Sequence, residues 1–242
     1  MKIDHAPTLC EALCSVTSIL ILGISMNAFG LGRLASWNEE VLLHDGTKVI
    51  VERSQTRGGR HEIGQEEPLA EHTVSFQLPG IEKPVTWKSE YGMEIEKASL
   101  QLLALDVVGG VPYIVTTTAG CIAYNKWSRP NPPYVFFKFD GKDWQRIPLA
   151  EFPAAIREAN VGISTQRFEP QLIKHSAAVP AIEVRKMNAD AKNPDVLYLR
   201  FFVREPIKVA QTVACEELVY YKGAWIGPGN SIGRRLMDRI AK

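Results

Sequence analysis

The sequence predicts a mainly β fold: an antiparallel meander of hairpins, arranged as a sandwich, barrel or propeller-like array, with few short helices and an N-terminal hydrophobic helix. Three observations carry that expectation. After Trp37 the chain is a succession of short β-branched and aromatic runs punctuated by Gly or Pro. An Asp45-Gly46 pair sits between two of these runs, where Gly accepts the positive φ that a tight hairpin turn demands. Ahead of them, residues 12–32 form a run of 21 without a charged side chain. The remaining composition is that of an ordinary globular chain, with 242 residues, 45% apolar, 23% charged and a formal net charge of +1, which excludes collagen-like and wholly disordered classes. A near-neutral chain offers no overall field to a polyanion, so no nucleic-acid partner is expected.

The uncharged run is long enough to cross a bilayer core about 30 Å thick as a helix, and Ile19, Leu20, Ile21, Leu22 and Ile24 are its most apolar part. Ala28 and Gly30 resemble a signal-peptide cleavage site, while Asp4 and Glu11 cancel the α-amine and Lys2 where a secretory signal is normally positive. Residues 1–35 are therefore read as a signal peptide or membrane anchor, with a buried core helix or a translation start at Met26 as alternatives. If uncleaved, residues 12–32 are the membrane contact. No lipobox-type Cys follows the run.

Residues 36–242 then make a single β-rich domain. Its first hairpin pairs residues 40–44 with 47–51 through a type I′ turn at Asp45-Gly46. Further strands are expected at 73–78, 85–91, 100–108, 111–118, 134–139, 144–149, 196–204 and 217–222. Residues 134–139 are apolar on both faces over most of their length, which predicts a central strand covered on both sides. Residues 134–144 and 218–225 both run aromatic strand, Gly turn, Trp, a likeness that simple hairpin chemistry explains. A short helix is expected within 150–160, starting near Pro153. A C-terminal helix is capped by Asn230 or Ser231, with Ile232, Leu236 and Ile240 on one face and Arg234, Arg235, Arg239 and Lys242 outward. Residues 164–195, which hold Pro170, Pro180 and Pro194, read as an irregular loop or insertion.

Three catalytic signatures fail on inspection. Residues 229–233 match G-x-S-x-G, but no His follows Ser231, where an α/β-hydrolase places one; Ser231 reads as a helix cap. Residues 30–35 match G-x-G-x-x-A without the strand and βαβ unit that a dinucleotide site needs. His61-Glu62 begins H-E-x-x-H, but Gln65 stands where the second His belongs, and nothing in the spacing of His61, Glu62, Glu71 and His72 favours a metal. No metal and no cofactor is expected.

Two candidate binding features remain. In Arg57-Gly58-Gly59-Arg60-His61 the glycines let successive backbone N–H groups turn toward a ligand, and Arg57 and Arg60 can clamp a carboxylate or phosphate; a solvated hairpin tip is the plainer reading. Tyr124 and Trp127, the latter in a proline-rich stretch at 125–133, are candidates for touching a peptide or sugar, against a role in packing. Cys121 and Cys215, the two cysteines outside residues 1–35, are a candidate disulfide, the alternative being two buried thiols. An oxidising compartment would form that bond and a reducing cytosol would not.

Trp37-Asn-Glu-Glu-Val-Leu-Leu-His-Asp-Gly46, Tyr124-Asn-Lys-Trp127 and Pro132-Pro-Tyr-Val-Phe-Phe-Lys138 together resemble uncharacterised, conserved hypothetical proteins of bacterial cell envelopes. The resemblance implies export and attaches no chemistry to these residues. The expectation is an exported or membrane-anchored envelope protein, periplasmic or held at the inner membrane with its domain outside the cytoplasm. It acts as a non-enzymatic binding or structural module for a protein, glycan or lipid partner. The alternative is a hydrolase or other enzyme whose site is assembled from distant loops. A His, a carboxylate and a Ser or Thr within hydrogen-bond reach in one deep pocket would favour that alternative.

Overall fold

A computed structural model of the chain describes residues 34–57, 69–79, 81, 83–89, 100–163, 165–189, 194–208 and 215–240. They fall in one unit spanning Gly32–Lys242. Residues 1–33, which hold nearly all of the segment read as a signal peptide or anchor, and Arg60 and His61 lie outside the described residues.

Period-two burial identifies the strands. In β1 (Leu34–Leu42), Ala35, Trp37, Glu39 and Val41 are buried while their neighbours are exposed or half-buried. The same alternation continues through β2 (Lys48–Arg57), β3 (Leu69–Phe76) and β4 (Val85–Lys88). These four pair antiparallel in chain order. A second antiparallel meander, again in chain order, holds β5 (Leu100–Val108), β6 (Val111–Thr118), β7 (Val135–Phe139) and β8 (Trp144–Ile147). A separate hairpin joins β9 (Val219–Tyr221) to β10 (Ala224–Ile226). Both segments that share the aromatic, Gly, Trp order are thus hairpins.

One core joins the two large sheets. Val41, Val51, Val74, Phe76 and Trp87 from the first pack with Leu102, Leu105, Ile114, Val135 and Phe137 from the second. Of the three predicted arrangements this is the sandwich, and neither sheet closes into a barrel. The outer face of the second sheet is also apolar: Tyr113, Val115, Phe136 and Ile147 lie under Phe152, Ile156 and Ile163. Double coverage explains why residues 100–108 read as an almost continuous apolar run.

Several elements depart from the sequence reading. The first hairpin does not use a type I′ turn. Gly46 N–H donates to the Leu43 carbonyl at 3.0 Å, and Gly46 alone in that turn has a positive φ, +87°. A type I turn followed by a left-handed glycine results, a standard three-residue hairpin loop. Thr47 donates its N–H and its hydroxyl to Asp45 Oδ1 at 2.9 and 2.7 Å, which favours that shape. Residues 150–160 give only a 3-10 turn, Leu149–Glu151. Residues 196–204 are not a strand, since Pro194–Leu199 is 3-10 helix. The segment expected to be irregular carries two helices, α2 (Thr165–Leu172) and α3 (Ala181–Ala189). Their prolines suggested loops, yet Pro180 precedes α3, where it interrupts no helical bond. Pro170 sits inside α2, whose Leu172 is buried against Trp37 and Val184; packing there outweighs propensity.

Candidate functional site

The inward face of the first sheet changes character along its length. Beyond the apolar half, the same alternation buries Glu39, Arg53, Gln55, Arg57 and His72. Burying charge is tolerated only with paired partners, and each has one. Arg53 Nη1 donates to Glu39 Oε1 and to the Gly162 carbonyl, both at 2.9 Å, and its guanidinium lies 5.0 Å from the Trp37 ring. Trp37 Nε1 donates to the other Glu39 oxygen at 3.1 Å. Arg57 places Nε and Nη2 on Glu169 Oε2 of α2 at 2.9 and 2.8 Å. The sequence reading put Arg57 with Arg60 in a clamp for a ligand's carboxylate or phosphate; the carboxylate seen at Arg57 is the protein's own Glu169. At 6% exposure, Arg57 belongs to the core and not to a solvated tip.

His72 accepts from Arg53 Nε at Nε2, 3.2 Å away. Burial pushes its imidazole well below the usual range, and the adjacent Arg53 charge pushes the same way. The ring is neutral, with its proton on Nδ1. His72 Nδ1 and Oε1 of its cross-strand neighbour Gln55 have no hydrogen-bond partner among the described residues. Glu71, on the opposite face of β3, cannot join His72 around a metal. Among the described residues no group of three His, Cys, Asp or Glu could hold one.

Tyr124 and Trp127 do not form an accessible platform. Both are buried, held by the short helix α1 (Cys121–Lys126) and the turn that follows it. Trp127 packs edge-on against Phe137, and the Arg146 guanidinium lies 5.2 Å from its ring. Tyr124 lies under Arg129 at 4.8 Å. The cysteines do pair: Cys121 and Cys215 are disulfide-bonded. Asn125 and Arg129 reinforce that tether, donating to the Glu216 carbonyl at 2.9 and 3.2 Å, and Arg129 reaches the Cys215 carbonyl at 3.0 Å.

The arrangement with the most chemistry lies where the first hairpin meets β5. The type I turn places His44 beside Asp106, whose Oδ1 accepts from His44 Nδ1 at 2.7 Å and whose Oδ2 accepts from the His44 N–H at 3.0 Å. Val107 N–H adds a third bond, 2.7 Å to Oδ1. Asp106 is 3% exposed, whereas a quarter of the His44 side chain meets solvent. The carboxylate accepts from Nδ1, so in the neutral form of the ring Nε2 is the acceptor. The pair lines a groove of about 450 Å³ shared with Arg157, Glu158, Asn160 and Arg185. Asn160 braces it, donating to the Leu42 and Leu105 carbonyls at 3.0 and 2.7 Å, one from each sheet. Arg185 pairs with Glu158 across the rim.

No protein-family model, curated protein or solved structure matches the chain. An Asp-oriented His can accept a proton or a hydrogen bond, and among the described residues lining the groove none is a Ser, Thr, Cys or Lys. The sequence reading passed over this pair. Its available signal was Asp106, the one charge in a strand that is apolar apart from Gln101.

Proposed function

We propose that the chain is an exported or membrane-anchored cell-envelope protein whose sandwich domain is a non-enzymatic binding or structural module, operating outside the cytoplasm. The Cys121–Cys215 disulfide carries this reading. It closes 94 residues of separation, and such bonds persist in oxidising compartments and are rare where glutathione keeps thiols reduced. The 21-residue uncharged run at 12–32 supports the same placement. The groove at His44 supports binding over covalent catalysis, because its described lining presents charge and a hydrogen-bond acceptor but no side-chain hydroxyl, thiol or amine. Its partner is an envelope protein, glycan or lipid, and not a nucleic acid.

Cell fractionation, with intact mass measured after alkylation with and without reductant, tests the reading. The expected product is in the envelope fraction with Cys121 and Cys215 protected until reduced, and a mass loss near Gly30 or Ser36 identifies a cleaved signal. A cytosolic product that starts at Met1 and alkylates at both positions without reductant overturns it. A second reading, a hydrolase in which His44 activates water, is favoured by the Asp106–His44 geometry alone. Turnover of an ester or phosphoester substrate that His44→Ala abolishes would select it.

A further inference from the structure

The C-terminal helix α4 (Ser231–Ile240) begins as the sequence predicts, with Asn230 Oδ1 accepting the Gly233 N–H at 2.7 Å. Its orientation is the reverse of the expectation. Asp238 accepts from Tyr221 Oη at 2.9 Å and Lys222 Nζ at 2.6 Å, and the Arg234 guanidinium lies 5.3 Å from the Tyr221 ring. These contacts seat the polar side of α4 on the β9–β10 hairpin. With 3.6 residues per turn, Ile232, Leu236 and Ile240 then fall on the side facing away, at 73, 48 and 68% exposure. Arg235 and Arg239, both exposed, flank that apolar row.

We propose that the apolar face of α4 docks on an anionic phospholipid surface, its three aliphatic side chains entering the headgroup boundary and Arg235 and Arg239 contacting lipid phosphates. A helix with one apolar face and an arginine flank matches the chemistry of interfacial helices. A second copy of the chain is the competing occupant, and charge and area disfavour it. Apposing two such faces brings four arginines together, and Asp238, the only acid in α4, is already paired with Lys222. Three side chains also offer roughly a few hundred Å², against about 800 Å² per partner in a standard stable interface. The envelope placement proposed above puts a bilayer near α4, but the vesicle experiment reads α4 wherever the protein resides.

The test is hydrogen exchange at residues 231–240 of the full chain mixed with vesicles of phosphatidylcholine alone or of phosphatidylcholine with phosphatidylglycerol. This local readout separates α4 from any membrane contact of residues 12–32. Protection of α4 is expected with the anionic vesicles only. It is lost in Ile232→Asp/Leu236→Asp/Ile240→Asp, whose replaced side chains already face solvent. Arg235→Glu/Arg239→Glu weakens the response by at least roughly 30-fold in lipid concentration, from about 1 kcal/mol per arginine at a charged surface. Equal protection by both vesicle types, none with either, or protection that rises with protein concentration in the absence of lipid overturns the proposal, the last by showing self-association.

Discussion

Replacing Glu39 with Gln keeps the size of a side chain that is fully buried and removes its charge. Arg53, 1% exposed, then keeps its positive charge in the core without the counter-charge 2.9 Å away. Its bonds to the Gly162 carbonyl and His72 Nε2 are to neutral acceptors. The Gln amide also turns either a donor toward Trp37 Nε1–H or a donor toward Arg53. Leaving one partner of a buried ion pair uncompensated costs about 3–5 kcal/mol. Removing both charges in Glu39→Leu/Arg53→Met eliminates the orphan charge and leaves three neutral groups unpaired, the Gly162 carbonyl, His72 Nε2 and the Trp37 Nε1–H. Replacing a buried ion pair by apolar side chains of similar size is often close to neutral, whereas breaking it is not, so the double variant should lose less than Glu39→Gln alone. Urea unfolding at pH 7 with the disulfide intact, followed by tryptophan fluorescence, measures each value. A Glu39→Gln loss below about 1 kcal/mol at unchanged denaturant slope, or a double variant less stable than Glu39→Gln, would refute the reasoning.

His72 titrates below its unfolded value, so the unfolded chain takes up the proton first. Its contribution is complete above about pH 6.5 and falls by about 1.4 kcal/mol per pH unit as the pH drops toward the folded value. His72→Gln should remove that slope, and parallel stability curves for variant and parent between pH 6.5 and 5 would count against it. Opening the disulfide with Cys121→Ser/Cys215→Ser should cost up to about 4–5 kcal/mol, the chain-entropy value for its separation of 94 residues. Calorimetry finding no loss would contradict that account. Asp106→Ala leaves two backbone N–H groups and the imidazole without their acceptor and should cost about 2–3 kcal/mol. His44→Ala, removing a partly exposed ring, should cost less than about 1 kcal/mol, so equal losses in denaturant melts would contradict a positioning role for Asp106.

Much of the architecture was legible because it depends on local patterning. Alternation around Val41 and Val51, the doubly apolar run at Phe137, and Gly46 at its turn located most of the strands and the antiparallel hairpin class, while sandwich, barrel and propeller-like arrangements stayed open. Asn230 announced the cap of α4. What could not be read depends on distant partners. Residues 165–189 carry three-dimensional reasons to be helical, such as Leu172 against Trp37, that no local window contains. Arg57 looked like a ligand clamp because its partner, Glu169, lies 112 residues away. Trp127 looked accessible because proline-rich flanks suggest a loop, while the ring that covers it belongs to Phe137. The outward turn of α4 was hidden for the same reason: Tyr221, Lys222 and Asp238 decide which side rests on the hairpin, and they outweigh the apolar row.

The buried ionic layer and the His44 groove are linked through a short stretch of chain. Apolar surfaces can slide over one another at little cost, whereas Arg53 Nη1 must meet Glu39 Oε1 and the Gly162 carbonyl together. That demand fixes where residue 162 crosses the sheet. Asn188 continues the constraint, with its amide donating to the Val161 carbonyl at 2.8 Å and its oxygen accepting the Ile163 N–H at 3.0 Å, so that α3 moves with the crossing. Arg157, Glu158 and Asn160 immediately precede the crossing, and Arg185 lies on α3; these residues form the groove with His44 and Asp106. The ionic layer's role is thus positional, which fits its poor return in stability. In Glu39→Leu/Arg53→Met the fold should persist while hydrogen exchange rises at residues 155–163 and 181–189 and stays unchanged in β5 and β6. Unchanged exchange at 155–163 would mean that Asn160 and Asn188 hold the groove without help from the charges beneath it.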